Sequence, residues 1–544
     1  MSRVIGRAAA AAVLAFAAAG AVFAQREPVL KQIELPHNYY FREMYLPQLT
    51  SGPSSVAWSP DGKSLVYSMA GSLWRQEIGS DRTVELTHGP GYDYQPDWSP
   101  DGKHIVFARH DNNTIELWQL DVSSGTTQQL TTTDAVNLEP RYSPEGKRLA
   151  YVSTAGSGHF NLFVAPIEGG KLGAARAVVQ PRESKIARYY YSKHDHTINP
   201  SWTPDGKRLV FVSNREVAYG TGNLCGAGDD GSEFECFVHE ETSWRARPEV
   251  APDGRRVLYS SYQGRQWHQL WLTTLAGDAQ LPLTFGDFDV TAARWSPDGR
   301  RIAYISNETG NLRLWVHDVV GGARTPVDPR NREYSRPMAQ IRIELKDAAG
   351  QPVNGRLSVV GADNRYYAPD NARVHADDGF DPHRQPSELR YFHCQNACSV
   401  MAPVGEVEVT AWRGQEHTPV WQRVQVKANG PNAVTATLRE LKLPDWAPAT
   451  ATADLHVHNN YGGHYRNDDA TLRGQMDAED LDAVYNLIVN KEQRFPNIEK
   501  VADGIGKSSE KGIFYSQEYH TSFWGHMGLL NLKRYLTPDF SAYQ

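Results

Sequence analysis

Two histidines near the end of the chain have the spacing of metal ligands. His456 and His458 occupy alternate positions of the segment Thr452-Ala-Asp-Leu-His-Val-His458. Alternate residues of a β-strand point to the same side of the sheet, so both imidazoles can bind one metal ion. Asp454 lies on the same predicted face. The alternative interpretation is that His456 and His458 are ordinary histidines that bind no metal.

A second cluster follows in the segment Ser516-Gln-Glu-Tyr-His-Thr-Ser-Phe-Trp-Gly-His526. Its carboxylate, Glu518, can bridge two metal ions, unless Glu518 caps a turn and His526 is a core histidine. Nitrogen and carboxylate ligands suit Zn, Mn or Fe and do not discriminate among them. The predicted ligand set is His456, His458, Glu518 and His526. The candidates for proton transfer are His464 and His520, each of which is otherwise a supporting or surface histidine.

The elements between the two clusters predict where the ligands lie. Residues 472–482 have a helical pattern, and Ala483-Val-Tyr-Asn-Leu-Ile-Val489 is typical of a buried strand. Strand, helix and strand in this order predict a parallel sheet with its site at the carboxyl ends of the strands. A divalent ion at that edge would activate water and polarise a scissile carbonyl or phosphoryl group.

At these residues the chain resembles the polymerase-and-histidinol-phosphatase (PHP) metallohydrolases, in the branch that includes carbaryl hydrolase. The resemblance rests on Asp454–Gly463, Asn490–Gln493 and the Glu518…His526 element. It implies a distorted β/α barrel with two or three metal ions, a bridging Glu518, and cleavage of an ester, carbamate or amide. The wider family implies phosphoesters. Where many members have Thr-Asp-His, this chain has Val489-Asn490-Lys491, and Glu492 is an alternative ligand.

The resemblance covers residues 446–544, whereas a barrel of this kind takes about 200–250 residues. We therefore expect only the N-terminal part of the barrel in this chain. An amidohydrolase with a TIM barrel is an alternative. That fold would need a carboxylated lysine and later histidine ligands.

A turn motif recurs at intervals of 40 to 60 residues through the first part of the chain. Pro sets φ at the first turn position, and Asp-Gly or Glu-Gly tolerates φ > 0. The copies are Trp58–Lys63, Trp98–Lys103, Tyr142–Lys147, Trp202–Lys207, Val250–Arg255 and Trp295–Arg300. They resemble TolB-like propeller repeats and predict a six-bladed β-propeller over residues 25–328. A propeller of this kind can bind a protein or a glycan.

Alternating segments in residues 334–445 predict a small antiparallel β-sandwich, similar to immunoglobulin-like or carboxypeptidase-regulatory-like modules.

The four cysteines predict two local disulfides, Cys225–Cys236 and Cys394–Cys398. A metal site of cysteines with His393 is an alternative, and His194 and His196 have ligand spacing around Asp195. The expected fold is therefore multidomain and mainly β.

The first residues predict export rather than structure. Arg3 and Arg7 precede an alanine-rich apolar run that ends at Val22-Phe-Ala24, so residues 1–24 are typical of a signal peptide. A membrane anchor is the alternative. We expect a periplasmic or secreted protein without a membrane span after cleavage.

The net charge of −7 and the absence of a basic run disfavour nucleic acid as partner. A small-molecule substrate is expected, with a propeller binding protein without catalysis as the alternative.

Overall fold

The structure is a computed structural model of the chain. It describes residues 50–89, 91–111, 114–186, 194–217, 222–240, 246–262, 267–376, 390–446, 450–460, 464–489, 497–502, 512–521 and 525–536. The predicted signal peptide, residues 1–24, lies outside these ranges. Within them, every helix is too short or too polar to cross a membrane.

The described residues up to 327 form six consecutive sheets, each built from neighbouring antiparallel strands. The first three sheets contain β1 Pro53–Trp58, β2 Ser64–Met69, β3 Ser72–Glu77 and β4 Arg82–Glu85; β5 Tyr92–Trp98, β6 His104–Asp111, β7 Thr114–Asp121 and β8 Thr127–Gln129; and β9 Asn137–Tyr142, β10 Arg148–Ser153, β11 Asn161–Glu168, β12 Lys171–Leu172 and β13 Arg176–Ala177.

The next three sheets contain β14 Thr197–Trp202, β15 Arg208–Ser213, β16 Asn223–Gly228 and β17 Glu235–Val238; β18 Glu249–Val250, β19 Arg256–Ser261, β20 Gln269–Thr274 and β21 Leu281–Pro282; and β22 Val290–Trp295, β23 Arg301–Thr309, β24 Asn311–Asp318 and β25 Arg324–Val327. A further strand, β26 Asn331–Glu333, pairs in parallel with β4 of the first sheet. The prediction of a mainly β chain is confirmed.

Each repeated turn connects the first and second strands of its sheet. In the first turn, Ser59 Oγ donates a hydrogen bond to Asp61 at 2.7 Å, and the N–H of Lys63 donates to the same carboxylate at 3.0 Å. The bond from Ser59 contributes most to holding the pKa of Asp61 below its usual value. Gly62 has φ of 68°, where a side chain would clash with the backbone. The hydrogen bonds and the positive φ of this turn therefore explain why the motif contains these residue types.

The turns also join neighbouring sheets. A Cβ atom added at Gly102 would lie 3.9 Å from Pro60, and one added at Gly62 would lie 3.7 Å from Pro297. The turn proline of one sheet therefore packs against the turn glycine of the next, and the last sheet packs against the first. One apolar core combines residues of β1 to β3 with residues of β22 to β25. The two ends of the six-sheet segment are thereby in contact.

A second unit follows, whose described residues form ten strands: β27 Met338–Lys346, β28 Gly355–Gly361, β29 Val374–Ala376, β30 Arg390–Cys394, β31 Ala397–Pro403, β32 Gly405–Trp412, β33 His417–Thr418, β34 Val420–Val426, β35 Asn432–Thr437 and β36 Arg439–Glu440. The sheets β31-β27-β35 and β29-β30-β28-β32-β34 enclose one apolar core. We expected an antiparallel sandwich. The structure differs at one strand, because β35 pairs in parallel with β27.

Both predicted disulfides are present. Cys225 and Cys236 pair across β16 and β17, and Cys394 and Cys398 join the two sheets of the second unit. The alternative of a metal site with these cysteines is therefore wrong. His393 instead lies 2.7 Å from a carboxylate of the third unit, that of Glu479.

The third unit contains β37 Ala453–Val457, α1 Asp469–Ala478, β38 Ala483–Val489, α2 Glu499–Ala502, β39 Gly512–Thr521 and β40 Gly525–Leu529. The strands pair in this order, and both helices contribute to one core with β38 and β39. Helix α1 begins and ends earlier than the predicted 472–482. The Asp468 carboxylate accepts the N–H of Thr471 at 2.8 Å and caps the helix, and Asp480, with φ of 53°, follows its end.

The three units contact one another. Arg365 of the second unit donates a hydrogen bond to Ser72 of the first unit at 3.0 Å. Arg356 donates to Glu479 beyond α1 at 2.6 and 2.8 Å. Burial raises the pKa of Glu479, but hydrogen bonds from His393 and Arg356 outweigh it and lower the pKa to about 2. An ionised, mostly buried carboxylate therefore connects the third unit to the second.

Candidate metal centre

The predicted ligands meet at one edge of the sheet in the third unit. His458 is the first residue after β37, and Glu518 pairs with Val489, the last residue of β38. Because β37, β38 and β39 run parallel, their carboxyl ends share this edge. His526 reaches the same edge from the start of β40, which runs antiparallel to β39.

The carboxylate of Glu518 lies at the centre of the cluster. Its Oε2 is 2.8 Å from Nε2 of His458 and 3.3 Å from Nε2 of His456, and its Oε1 is 2.8 Å from Nδ1 of His526. The ligand atoms of His456, His458 and Glu518 lie within 4.8 Å of one another. Among the described residues, no other group of three histidine, cysteine or carboxylate side chains has this arrangement. The structure therefore groups three of the four predicted side chains, and the fourth, His526, lies beside the other oxygen of Glu518.

The hydrogen bond at the far side of the His458 ring determines which nitrogen faces the cluster as a ligand. Nδ1 lies 2.8 Å from the carbonyl oxygen of Leu487, which can only accept, so Nδ1 carries a proton. In the neutral ring Nε2 then has a lone pair, directed at Glu518 and 3.2 Å from Nε2 of His456. A lone pair 2.8 Å from a carboxylate oxygen is repelled unless a cation lies between them, either a ring proton that makes Nε2 a hydrogen-bond donor or a metal ion. The donor set thus fits a metal ion.

The electrostatics of Glu518 favour the ionised form. Its side chain is 3% exposed, and burial raises its pKa. Hydrogen bonds from His458 and His526 outweigh burial and hold the pKa of Glu518 well below its usual value. A buried carboxylate that stays ionised is a suitable ligand for a divalent cation, because charge pairing offsets the cost of burying both groups.

The other predicted site residues are less defined. His464 is half-buried in the chain between β37 and α1. His520 pairs in register with His526, but its side chain lies outside the described residues, as does the segment 490–492. The Asp454 carboxylate accepts the N–H of His456 at 3.0 Å and so is engaged with the backbone.

His194 and His196, whose spacing also suits metal ligands, belong to no metal-ligating group among the residues that the structure describes. The Asp195 carboxylate is paired with Arg182 at 2.5 Å, and the His194 ring stacks on His159 with centroids 3.9 Å apart. His196 is buried beside Asn214, whose side-chain oxygen accepts its N–H at 2.8 Å. Ion pairing and stacking thus explain these residues.

A second candidate site, a channel between the first strands of the six sheets, was not predicted. It is lined by four prolines, Pro96, Pro140, Pro200 and Pro248, and by the residues before them, which all have positive φ. These preceding residues join neighbouring sheets. The N–H of Gln95 donates to Ser55 at 3.1 Å, that of Glu139 to Gln95 at 2.9 Å, and that of Asn199 to Glu139 at 2.6 Å.

Four charged residues from different sheets pair beside this channel, and we call them the charge square: Asp97, Arg141, Glu249 and Arg294. The two arginines line the channel. Arg294 lies 2.5 Å from Asp97 and 3.0 Å from Glu249. Arg141 pairs with the same two carboxylates. Each lies directly before the last residue of β5, β9, β18 or β22, at a repeat position that the sequence pattern could have singled out.

Comparisons with known proteins identify the first unit. Residues 42–297 match the family described as TolB beta propeller domain. The chain therefore contains a TolB-like β-propeller domain, as its repeats predicted. The Tol-Pal system protein TolB of Francisella tularensis subsp. holarctica (strain OSU18) is 25% identical over 293 residues, which are 52% of this chain and 63% of that protein.

Two further similarities are more limited. The uncharacterized peptidase YuxL of Bacillus subtilis (strain 168) is 28% identical over 120 residues, 20% of this chain and 18% of that protein. The crystal structure of TolB from Acinetobacter baumannii matches with a TM-score of 0.35 and 19% identity, over 42% of this chain and 54% of that one. The chain thus spans less than two thirds of each of these relatives.

Proposed function

We propose that this chain is an exported metal-dependent hydrolase whose third unit binds divalent ions and whose propeller is a binding platform. The observation that carries the proposal is the buried carboxylate of Glu518, which has imidazole nitrogens beside both of its oxygens. His456 and His458 would hold one ion with Oε2, and His526 would hold a second with Oε1. Zn, Mn or Fe suits this donor set, and the resemblance to the PHP metallohydrolases supports it.

The chemistry follows from what each residue would do. A divalent ion held there would supply hydroxide from water near neutral pH and would polarise the bond to be cleaved. The carbonyl of Leu487 keeps the His458 ring in the orientation in which Nε2 faces Glu518. His464 and His520 are the proposed proton-transfer residues, taking a proton from water and returning it to the leaving group. The substrate is a small molecule with an ester, carbamate, amide or phosphoester bond.

Metal content tests the proposal. The purified full chain should contain at least one divalent ion per molecule by elemental analysis, and the double substitution His456→Ala with His458→Ala should remove it. A matched control, His104→Ala with His317→Ala, deletes two propeller histidines and should leave the metal in place. Stoichiometric metal in the first variant would contradict the ligand assignment.

The propeller and its export are proposed on separate grounds. We infer that the six sheets are the blades of a closed propeller, because the last sheet packs against the first through Gly62 and Pro297. Export rests on residues 1–24, with cleavage after Ala24. Mass spectrometry of exported protein should find Gln25 or its pyroglutamate at the N-terminus, whereas an intact Met1 would refute cleavage.

A propeller binding or scaffold protein without catalysis is the second candidate. The channel favours it, because its proline lining and its polar groups offer both apolar and hydrogen-bonding contacts to a protein or glycan. A metal-free full chain would support this candidate. A TIM-barrel amidohydrolase fused to the propeller is the third, and it would require a carboxylated lysine beside further histidine ligands.

A further inference from the structure

One polar residue interrupts the apolar strand β38. Asn486 is 1% exposed within the run Ala483–Val489. Its Oδ1 accepts the N–H of Asn459 at 3.0 Å, and Asn459 directly follows His458. The next residue of β38, Leu487, accepts Nδ1–H of His458 at 2.8 Å. Two consecutive residues of β38 therefore hold His458, one through the backbone beyond it and one through its ring.

An amide at this position is not explained by stability. Burying an amide costs free energy unless both of its ends are hydrogen-bonded. Nδ2 of Asn486 has no hydrogen-bond partner among the described residues. Val484 and Ile488, two positions before and after Asn486 in β38, belong to an apolar core. The value of Asn486 therefore lies in the single bond that it makes to Asn459.

That bond acts where the position of His458 matters most. Val457, the last residue of β37, pairs with Asn486, so the chain leaves the strand at this point. The bond to Asn459 fixes the direction of the next peptide and with it the Cα atom of His458. Metal–ligand distances tolerate changes of about 0.2 Å, so a small displacement of this imidazole is enough to weaken the binding of a metal ion.

We infer that Asn486 is a positioning residue of the metal centre: its Oδ1 holds the Asn459 backbone so that Nε2 of His458 meets Glu518 and His456. The inference rests on the proposed function, because it requires that this cluster binds a metal ion. It assigns Asn486 no contact with the ion and no role in proton transfer.

Cobalt titration of the metal-free full chain tests the inference without an activity assay. Asn486→Ala and Asn486→Leu should lower Co²⁺ affinity about 10–100-fold and alter the visible absorption of the bound ion. Asn486→Asp retains an acceptor oxygen at Oδ1, and Nδ2 has no bond to lose, so its affinity and spectrum should be restored towards those of the unsubstituted chain. Asn486→Leu fills the volume with an apolar side chain and tests the role even where the alanine variant fails to fold.

The matched control is Asn307→Ala in the propeller. Asn307 is also 1% exposed, and its Oδ1 accepts the N–H of Asp289 at 2.7 Å. This control should lose stability while its Co²⁺ affinity and spectrum stay unchanged. Unchanged Co²⁺ affinity and spectrum in folded Asn486→Leu would overturn the inference while leaving the proposed metal site intact. Failure of the unsubstituted chain to bind Co²⁺ would overturn both.

Discussion

Replacing one arginine of the charge square should destabilise the propeller strongly. In Arg294→Met, the side chains of Asp97 and Glu249, which are 10% and 13% exposed, would keep Arg141 as their cationic partner among the described residues. Removing one partner of a buried ion pair costs about 3–5 kcal/mol. We expect about 3 kcal/mol, because Arg141 still compensates part of the charge. At about 2–4 °C per kcal/mol, the unfolding temperature of the propeller should fall by about 6–12 °C.

Thermal unfolding of the full chain followed by circular dichroism measures this change. The control is Arg330→Met, whose side chain is 74% exposed and pairs with Asp328 at 3.2 Å. It should change stability by less than about 0.5 kcal/mol. The double variant Arg294→Met with Glu249→Gln removes one charge of each sign and should be more stable than the sum of its single variants predicts. A cost below about 1 kcal/mol for Arg294→Met, or additive costs in the double variant, would refute the reasoning.

Three further results are expected. The folded-state pKa of Glu479 is lowered to about 2, so its stabilisation of the contact between the second and third units is complete above its usual pKa and is lost as pH falls towards 2. Limited proteolysis between pH 5 and 3 should detect this loosening, and Glu479→Gln should remove about 2 kcal/mol at neutral pH and flatten the dependence. Replacing Cys394 and Cys398 by serine should cost about 2 kcal/mol in urea unfolding, and an unchanged midpoint would contradict this. Gly62→Ala, at φ of 68°, should cost about 1–2 kcal/mol, and more than Gly226→Ala, where φ is not in the left-handed region.

The repeats of the first unit could be predicted because they are local. Pro and Gly at fixed turn positions are required by backbone dihedral angles within a few residues, as at Gly62. The same glycines also pack against prolines of the neighbouring sheet, a contact that involves residues far apart in sequence. The sequence pattern therefore predicted the sheets, but not how the last contacts the first.

The candidate site was predictable in its residue types and only partly in its geometry. His456 in β37 and His458 directly after it lie on one side because side chains alternate along an extended chain, which is a local property. The position of His526 depends on the direction of β40. Because β40 runs antiparallel to β39, the start of β40 and not its end reaches the site. Sequence spacing alone does not specify strand direction, because parallel and antiparallel strands have similar local patterns.

The sequence by itself determined the turns, the strand periodicity, the signal-peptide pattern and the chemical identity of the four candidate ligands. Each of these depends on interactions between residues near one another in the chain. Only the tertiary structure decided that Glu518 lies between three imidazoles, that Asn486 holds the backbone beside His458, and that the charge square joins different sheets. These arrangements depend on side chains that are distant in sequence and become neighbours only when the sheets pack, so no local pattern encodes them.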